Sequence, residues 1–537
     1  MTIPESTLPN TTSTGAYSEL WWLIPIVVLA VFLRIQNISE VGYLFDESFS
    51  LQMVQFPFQE MMERIPEDIS PPMFYFILKS WIGIFGDSLF STRMLSVVLG
   101  TITVLGVYFL AYEAYRKPGG AGSENQARFI AIAAALLVAF CPLHITWSQR
   151  IRMYSLGTAL AVLSSWFLFR ALNRPKAGTR DWALFTLTAI LLIYTHYFGL
   201  FTLTVEFGFA FGYLLLNSTE KKWSQRLSHL WPLAVSALAI WFVWSPWIPP
   251  FLYQRSHVNQ TFWSSPLTWD RFGSQIALLF DLNLWLSNAS QKGLLAAEIG
   301  FVFLVILSMG RRPADIYIAL AASVPILIAV IISKISRSVF AYRYLQFAQI
   351  FMLIAIAVLL SRLPVKLLRL SMTVLVISGM GFLAWKHNDV RQKHADLPGM
   401  ETAIARFEQS RGPDEKLICC NPMLFTSADA YSQTRHAIFV NGSPDGYPYY
   451  QGTAVIRKNE YLTPSEFLDD NSDAFWTLDA QRWFNGTWEV HVPAGWKKAG
   501  EMHFPEFYAD LILRLYVRED KPQAQRTPLP QEGEGYR

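Results

Sequence analysis

Long apolar runs dominate the first 385 residues of the chain. Each has about 17 to 22 mostly apolar residues, which as a helix covers the ~30 Å hydrocarbon thickness of a bilayer. The pattern predicts about eleven membrane spans, at 20–36, 90–113, 128–147, 153–171, 181–196, 198–217, 229–250, 292–309, 313–333, 341–361 and 366–385. We therefore expect a polytopic α-helical membrane protein.

The polar segments between these runs predict the orientation. Lys and Arg close to span ends are retained on the cytoplasmic side of a membrane. One alternating set of loops carries them, at Arg116-Lys117, Arg170 to Arg180, Lys221 to Arg226, Arg311-Arg312 and Arg362 to Lys366. We expect a cytoplasmic N-terminal tail at 1–19, with a first outer loop at 37–89 and the segment after residue 385 on the opposite side.

The pattern changes after Trp385, where polar and apolar residues mix. A helix is expected near 398–410. Runs typical of β-strands begin at Lys416, Ala437 and Leu511. We expect an extracytoplasmic α/β domain at 386–520 and, because the last residues are rich in Pro, Gln, Glu and Gly, a disordered tail at 521–537.

Composition supports the membrane assignment and excludes one class of partner. Hydrophobic residues make up 52% of the 537 residues, and charged residues only 16%, below the usual quarter of soluble proteins. The net charge of +3 is small for this length, and no Lys/Arg block of the kind that binds phosphate backbones occurs. We expect the lipid bilayer as a partner and no nucleic acid.

Two adjacent carboxylates, Asp46 and Glu47, follow closely on the first span in aromatic and apolar surroundings. Partial burial there would raise the pKa of a carboxylate and make it a stronger base. The alternative is a helix start that carries acidic residues, since negative charge is favoured at that end of a helix. The local sequence leaves both interpretations open.

Cations lie on the same predicted membrane face. Arg150 and Arg152 occupy the very short outer loop between the third and fourth spans, against the positive-inside trend, and so predict an anionic partner. Arg suits phosphate because its planar fork donates two parallel hydrogen bonds. Further polar residues near outer span ends are Tyr154, His196, Tyr197, Arg343 and Tyr344. Pairing with a structural carboxylate, contact with lipid headgroups and an ordinary aromatic belt are the alternatives.

In these segments the chain resembles the polyprenyl-phosphate-sugar-dependent membrane glycosyltransferases of the GT-C fold. It is most similar to the bacterial glycosyltransferase 39 group, which is related to protein O-mannosyltransferases and the lipid A aminoarabinose transferase. The likeness covers roughly residues 20–385. Its motifs are Phe45-Asp46-Glu47, Ser70-Pro71-Pro72 with Tyr75, the segment ending at Arg93, Ser148 to Tyr154, Tyr194 to Tyr197, Trp244 to Trp247 and Arg343-Tyr344.

The resemblance implies an inverting glycosyltransferase of the bacterial plasma (inner) membrane. Asp46 would be the general base toward an acceptor hydroxyl, with Glu47 as a second catalytic candidate. Polyprenyl phosphate would leave, and Arg152 would stabilise its developing charge. The weaker candidates for the donor phosphate are Arg150, Tyr154, Arg343 and Tyr344. The candidates for substrate binding are Ser70, Tyr75, Arg93, His196 and Tyr197.

The implied partners are a polyprenyl-phosphate sugar donor and a glycan, lipid or protein acceptor. Two positions depart from the family pattern, because relatives commonly have His or Lys at the position of Ser70, and many have an acid at that of Arg150. Some relatives bind a divalent metal ion near the acids, and the sequence leaves the ligands of such an ion unassigned.

The main alternative is a transporter or flippase of lipid-linked sugars without transferase chemistry. It is disfavoured by the odd number of spans and by the absence of internal repeats in the sequence. A structural assembly subunit that retains the fold without catalysis is a third interpretation, which the departure at Arg150 keeps open.

Overall fold

The structure is a computed structural model, and it describes residues 21, 23–116, 121–173, 178–216, 223–260, 262–280, 300, 310, 312–463, 466, 473–483, 486–506 and 509–519. A helical module comes first and a C-terminal α/β domain follows it. The predicted tails at 1–19 and 521–537 lie outside the described residues.

The helical module runs to residue 395. Its described helices are α1 Leu23–Ile35, α2 Phe45–Gln55, α3 Phe58–Arg64, α4 Met73–Phe85, α5 Leu89–Tyr115, α6 Ala121–Phe140, α7 Pro142–Ser148, α8 Tyr154–Asn173, α9 Gly178–Ile193, α10 Gly199–Leu216, α11 Trp223–Ser228, α12 Trp231–Trp244, α13 Ile248–Gln260, α14 Trp269–Leu279, α15 Pro313–Ile335, α16 Tyr342–Ser361 and α17 Lys366–Ala395. The predicted outer loop at 37–89 is therefore largely helical.

The apolar helices confirm a polytopic membrane protein. Within the described residues, seven helical stretches are long and apolar enough to cross a membrane, and an eighth is added if the bent pair α6 and α7 forms one span. Ten of the predicted spans overlap a described helix, whereas 292–309 lies outside the described residues except for residue 300. The count of eleven crossings stays a prediction.

The bend of 61° between α6 and α7 shapes the end of the module that carries α2. Pro142 in the first turn of α7 has no N–H, so the carbonyl of Val138 loses its helical partner. The fully buried Arg34 donates to the carbonyls of Val138 and Ala139, each at 3.3 Å, and to Ser148 Oγ at 3.1 Å. Arg34 thereby stabilises the break and the start of the loop that follows α7.

The C-terminal domain contains a seven-stranded mixed sheet. Its described elements are α18 Gly399–Ser410, β1 Leu417–Cys419, α19 Pro422–Asp429, β2 Ile438–Asn441, β3 Tyr461–Leu462, β4 Ala474–Trp483, β5 Gly486–Trp488, β6 Trp496–Pro505 and β7 Asp510–Arg518. The strand order is β3-β2-β1-β4-β7-β6, and β5 pairs with β4. Strand β1 lies parallel to β2 and β4 and is buried along its whole length, as its continuous apolar run requires.

The predicted helix near 398–410 and the three predicted β-type runs are confirmed by α18, β1, β2 and β7. The predicted domain boundary at residue 386 falls inside α17, which continues to Ala395. Polar residues beyond Trp385 extend this helix, because a change of composition does not by itself end a helix. The domain packs on the end of the helical module that carries α2.

Candidate active site

Asp46 lies in the first turn of α2, and its side chain is 35% exposed. Its Oδ2 contacts Arg343 Nη1 at 3.3 Å, and its backbone carbonyl accepts a hydrogen bond from Arg152 Nη1 at 3.3 Å. Burial pushes the pKa of Asp46 upward, but Arg152, Arg343 and Arg150 outweigh burial and hold this pKa below its usual value. The expectation of a raised pKa is wrong, because the sequence did not show how closely the cations approach.

Glu47 forms a two-point ion pair with Arg93, and both side chains are only 1% exposed. Arg93 Nε donates to Oε1 at 2.9 Å and Nη2 to Oε2 at 2.7 Å. The carboxylate also accepts from the backbone N–H groups of Ile151 and Leu44. Arg93 donates further to the carbonyls of Ile38, Val41 and Gly42. The pair joins α2, α5 and the loop after α7, and the carboxylate of Glu47 is occupied by these contacts.

Arg152 and Arg343 bring two guanidinium groups to Asp46 from different parts of the chain. Arg152 is 7% exposed and donates Nη1 to Ser50 Oγ at 3.2 Å. Arg343 lies over the ring of Trp263, 4.3 Å from its centroid. Among the described residues, the Nε atoms of both arginines are buried without a hydrogen-bond partner. Each guanidinium therefore retains donors suited to an anionic ligand.

Three predicted residues form an aromatic cluster beside Arg343. Ring centroids lie 5.6 Å apart for Tyr154 and His196, 5.4 Å for His196 and Tyr344, and 6.3 Å for Tyr154 and Tyr344. His196 Nδ1 accepts from the backbone N–H of Phe198 at 3.1 Å, so the proton of the neutral ring lies on Nε2. The cluster packs against Arg343, whose guanidinium lies 5.3 Å from the Tyr344 ring centroid.

Asp68 joins the site although the sequence analysis did not single it out. The hydroxyl of buried Tyr75 donates to Asp68 Oδ2 at 3.0 Å. Burial raises the pKa of Asp68, and Arg152 lowers it in part. The pKa values of Asp46 and Asp68 are thus displaced in opposite directions. The sequence could have indicated Asp68, because it is an acid two residues before Ser70 of the quoted motif. Ser70 is buried.

Two further predicted residues, Tyr197 and Arg150, make side-chain contacts away from the carboxylate of Asp46. The Tyr197 hydroxyl donates to Gln254 and accepts from Trp247 Nε1 at 3.0 Å, so it connects the turn after α9 with α13. The Arg150 guanidinium lies over the ring of Trp147 at 5.0 Å. Arg150 acts on Asp46 through its charge, which helps to lower the pKa of that carboxylate.

Among the described residues, the side chains near Asp46 do not form a ligand set for a metal ion. The adjacent carboxylate of Glu47 is engaged by Arg93 and by two backbone N–H groups. In the part of the chain that the structure describes, no group of three His, Cys, Asp or Glu residues is placed to hold a metal.

Comparison with known proteins identifies the fold. A family model for dolichyl-phosphate-mannose-protein mannosyltransferases matches residues 70–247, about a third of the chain. The crystal structure of ArnT from Cupriavidus metallidurans bound to undecaprenyl phosphate is similar with a TM-score of 0.56 at 14% identity, over 94% of this chain and 98% of that one. The chain has the GT-C fold. The apo structure of the same ArnT gives a TM-score of 0.58 at 13% identity, over 93% and 98% of the two chains.

The predicted likeness to GT-C glycosyltransferases is confirmed by these matches. The match to ArnT covers both the helical module and the C-terminal domain, so the GT-C fold here includes both parts. No curated protein matches the sequence. At these identities the structural likeness establishes the fold, and the chemistry has to be argued from the site.

Proposed function

We propose that the chain is an inverting glycosyltransferase. It moves a sugar from a polyprenyl-phosphate-linked donor to an acceptor hydroxyl at the extracytoplasmic face of the plasma (inner) membrane. The observation that carries the proposal is the partly exposed carboxylate of Asp46 beside Arg152 and Arg343, which keep unused donors. A base next to an anion site is the arrangement needed for transfer with a phosphate leaving group.

Asp46 acts as the general base in this proposal. Its carboxylate takes the proton of the acceptor hydroxyl while the acceptor oxygen bonds to the anomeric carbon. The bond between that carbon and the phosphate oxygen breaks on the opposite face, and its electron pair stays on the phosphate. The configuration at the anomeric carbon inverts, and the polyprenyl phosphate gains a negative charge that Arg152 and Arg343 stabilise.

The same two arginines couple donor binding to the strength of the base. Without donor, the arginines lower the pKa of Asp46, so the carboxylate is ionised but weakly basic at neutral pH. A donor phosphate bound to Arg152 and Arg343 offsets part of their positive charge and thereby raises the pKa of Asp46. The base gains strength only when the donor is in place, which limits unproductive proton uptake.

Glu47 and Arg93 serve as positioning residues rather than as groups that touch substrate. Their ion pair and hydrogen bonds hold the first turn of α2 against the loop after α7. This contact sets the separation of Asp46 from Arg152, on which the proposed chemistry depends. Removing one partner of such a buried pair costs about 3–5 kcal/mol, because the other charge is left uncompensated.

The test is transfer of labelled sugar in proteoliposomes from a panel of polyprenyl-phosphate sugars. We expect Asp46→Asn to lower turnover about 10²- to 10⁴-fold, the usual contribution of a general base, and to retain binding of undecaprenyl phosphate. Asp414→Asn makes the same change at an exposed carboxylate of the C-terminal domain and should turn over like the wild type.

Normal turnover by Asp46→Asn would contradict the proposed base. A wild type that moves lipid-linked sugars across the membrane without breaking the bond between sugar and phosphate would instead identify a transporter.

A further inference from the structure

The segment 449–455 of the C-terminal domain lies against helices of the site. Gly452 has a φ of +89°, and a Cβ added there would lie 3.0 Å from the ring of Phe45, the residue before Asp46. Arg64 at the end of α3 donates Nη1 to the carbonyl of Ala454 at 2.9 Å. The segment is therefore in contact with both α2 and α3.

Tyr449 begins this segment and contacts α13 of the helical module. Its ring packs edge-on against His257, with centroids 5.7 Å apart. Its hydroxyl is buried and has no hydrogen-bond partner among the described residues. Burial raises the pKa of Tyr449, and the titratable groups that contribute to this shift include Tyr344 and Asp68 of the candidate site. The hydroxyl is thus a neutral donor at the margin of the site.

A second set of contacts fixes the domain on α2. Gln52 Nε2 donates to the carbonyl of Thr426 at 3.0 Å and to Asp429 Oδ2 at 2.6 Å. The hydroxyl of Tyr431 accepts a hydrogen bond from the backbone N–H of Tyr43. Because these contacts lie on the helix that carries Asp46 and on the loop just before it, the domain places Tyr449 in a defined position relative to that carboxylate.

We propose that Tyr449 is a carbohydrate-binding residue of the site, whose hydroxyl donates a hydrogen bond to a sugar hydroxyl held next to Asp46. A buried hydroxyl without a partner costs free energy, and a bound sugar hydroxyl would remove that cost. The donor sugar and a glycan acceptor present the same chemistry at this point. The inference rests on the proposed function for the presence of a sugar.

Tyr449→Phe tests the role because it removes only the hydroxyl. We expect kcat/KM for sugar transfer to fall about five- to tenfold, the loss of one hydrogen bond, with unchanged affinity for undecaprenyl phosphate. A weaker affinity for the sugar-bearing donor assigns the contact to the donor sugar. A raised KM for the acceptor alone assigns it to the acceptor.

Tyr461→Phe is the matched control. The Tyr461 hydroxyl is also buried without a hydrogen-bond partner among the described residues, and its titratable neighbours, Tyr447 and Glu460, belong to the same domain. We expect this variant to behave like the wild type. An equal loss in both variants would indicate a general effect on the domain and overturn the proposal.

The proposal would also be overturned if the affinities and kcat/KM of Tyr449→Phe lay within twofold of the wild-type values. A wild type that transfers no sugar from any donor overturns the proposed function instead. The affinities for sugar-bearing donor and undecaprenyl phosphate then still test the contact of Tyr449 with the donor sugar, and an unchanged ratio of the two affinities in Tyr449→Phe rejects that contact.

Discussion

Asp46 and Glu47 are neighbours in the sequence, yet the fold gives them different surroundings. Successive residues of a helix point about 100° apart, so one carboxylate faces the buried Arg93 while the other stays 35% exposed. The two interpretations that the sequence left open therefore divide between the residues. Glu47 has the contacts of a structural helix start, and Asp46 is the carboxylate that we propose as the base.

The pH dependence of the reaction follows from the lowered pKa of Asp46. A carboxylate with a lowered pKa stays ionised until the pH falls through that value. We expect kcat/KM to be independent of Asp46 ionisation from pH 7 down to about 4, the ordinary pKa of an aspartate. The acidic limb of kcat should lie at a higher pH than that of kcat/KM, because the bound donor phosphate raises the pKa of Asp46.

Initial rates measured over pH for the wild type and Arg343→Gln check this expectation. Loss of the Arg343 charge should move the acidic limb of kcat/KM to higher pH, and that movement assigns the limb to Asp46 rather than to Asp68. A limb that stays in place in this variant contradicts the assignment.

The helices α1, α5 and α7 meet at Arg34 and Ser148, and this junction holds the loop that carries Arg152. The approach is close because position 100 of α5 lacks a side chain. A Cβ on Gly100 would lie 2.0 Å from Ser148 Oγ and 3.1 Å from Arg34 Nε. The glycine thus has a packing role at this junction.

Gly100→Ala should therefore be destabilising. Overpacking of this kind costs about 1–3 kcal/mol, which thermal unfolding in detergent would report as a lower Tm. We also expect lower turnover, because the displaced Ser148 shifts the loop with Arg152. The control is Gly208→Ala in α10, where nothing lies within 4 Å of the added Cβ.

Alanine at position 208 should leave the Tm unchanged or raise it, since alanine is favoured over glycine in a helix by up to about 1 kcal/mol. Equal changes of Tm in the two variants would argue against a packing role for Gly100.

The helical module and the C-terminal domain share the first helix of the site. Helix α2 packs on the membrane helices through Glu47 and on the domain through Gln52. The position of Asp46 therefore depends on both parts. This arrangement gives the domain a part in the geometry of the site, in addition to the contact proposed for Tyr449.

Gln52→Ala should weaken the contact between the parts. It removes two hydrogen bonds to the domain, worth together about 1–3 kcal/mol, and we expect a lower kcat because α2 and Asp46 are held less firmly. Hydrogen exchange in α2 and α19 should become faster. Gln59→Ala is the control, because this exposed residue of α3 donates, among the described residues, to Glu63 in the same helix. Similar effects in both variants would show that the contact does not position Asp46.

The spans and the α/β domain could be predicted because local pattern decides them. An apolar run of sufficient length favours the bilayer wherever the neighbouring helices lie, and the β-type runs of the domain are short and apolar. The motifs of the likeness to GT-C glycosyltransferases are also local stretches of sequence. The same reasoning placed the candidate acids and cations on one membrane face.

The contacts of the site were decided by the packing of distant segments. Asp46 meets Arg343 across 297 positions, and Gln52 meets Asp429 across 377. The direction of the Asp46 pKa depends on such approaches, because the effect of a charge on a carboxylate depends on their separation. Asp68 and, in our proposal, Tyr449 join the site for the same reason, since each approaches it only when the chain has folded.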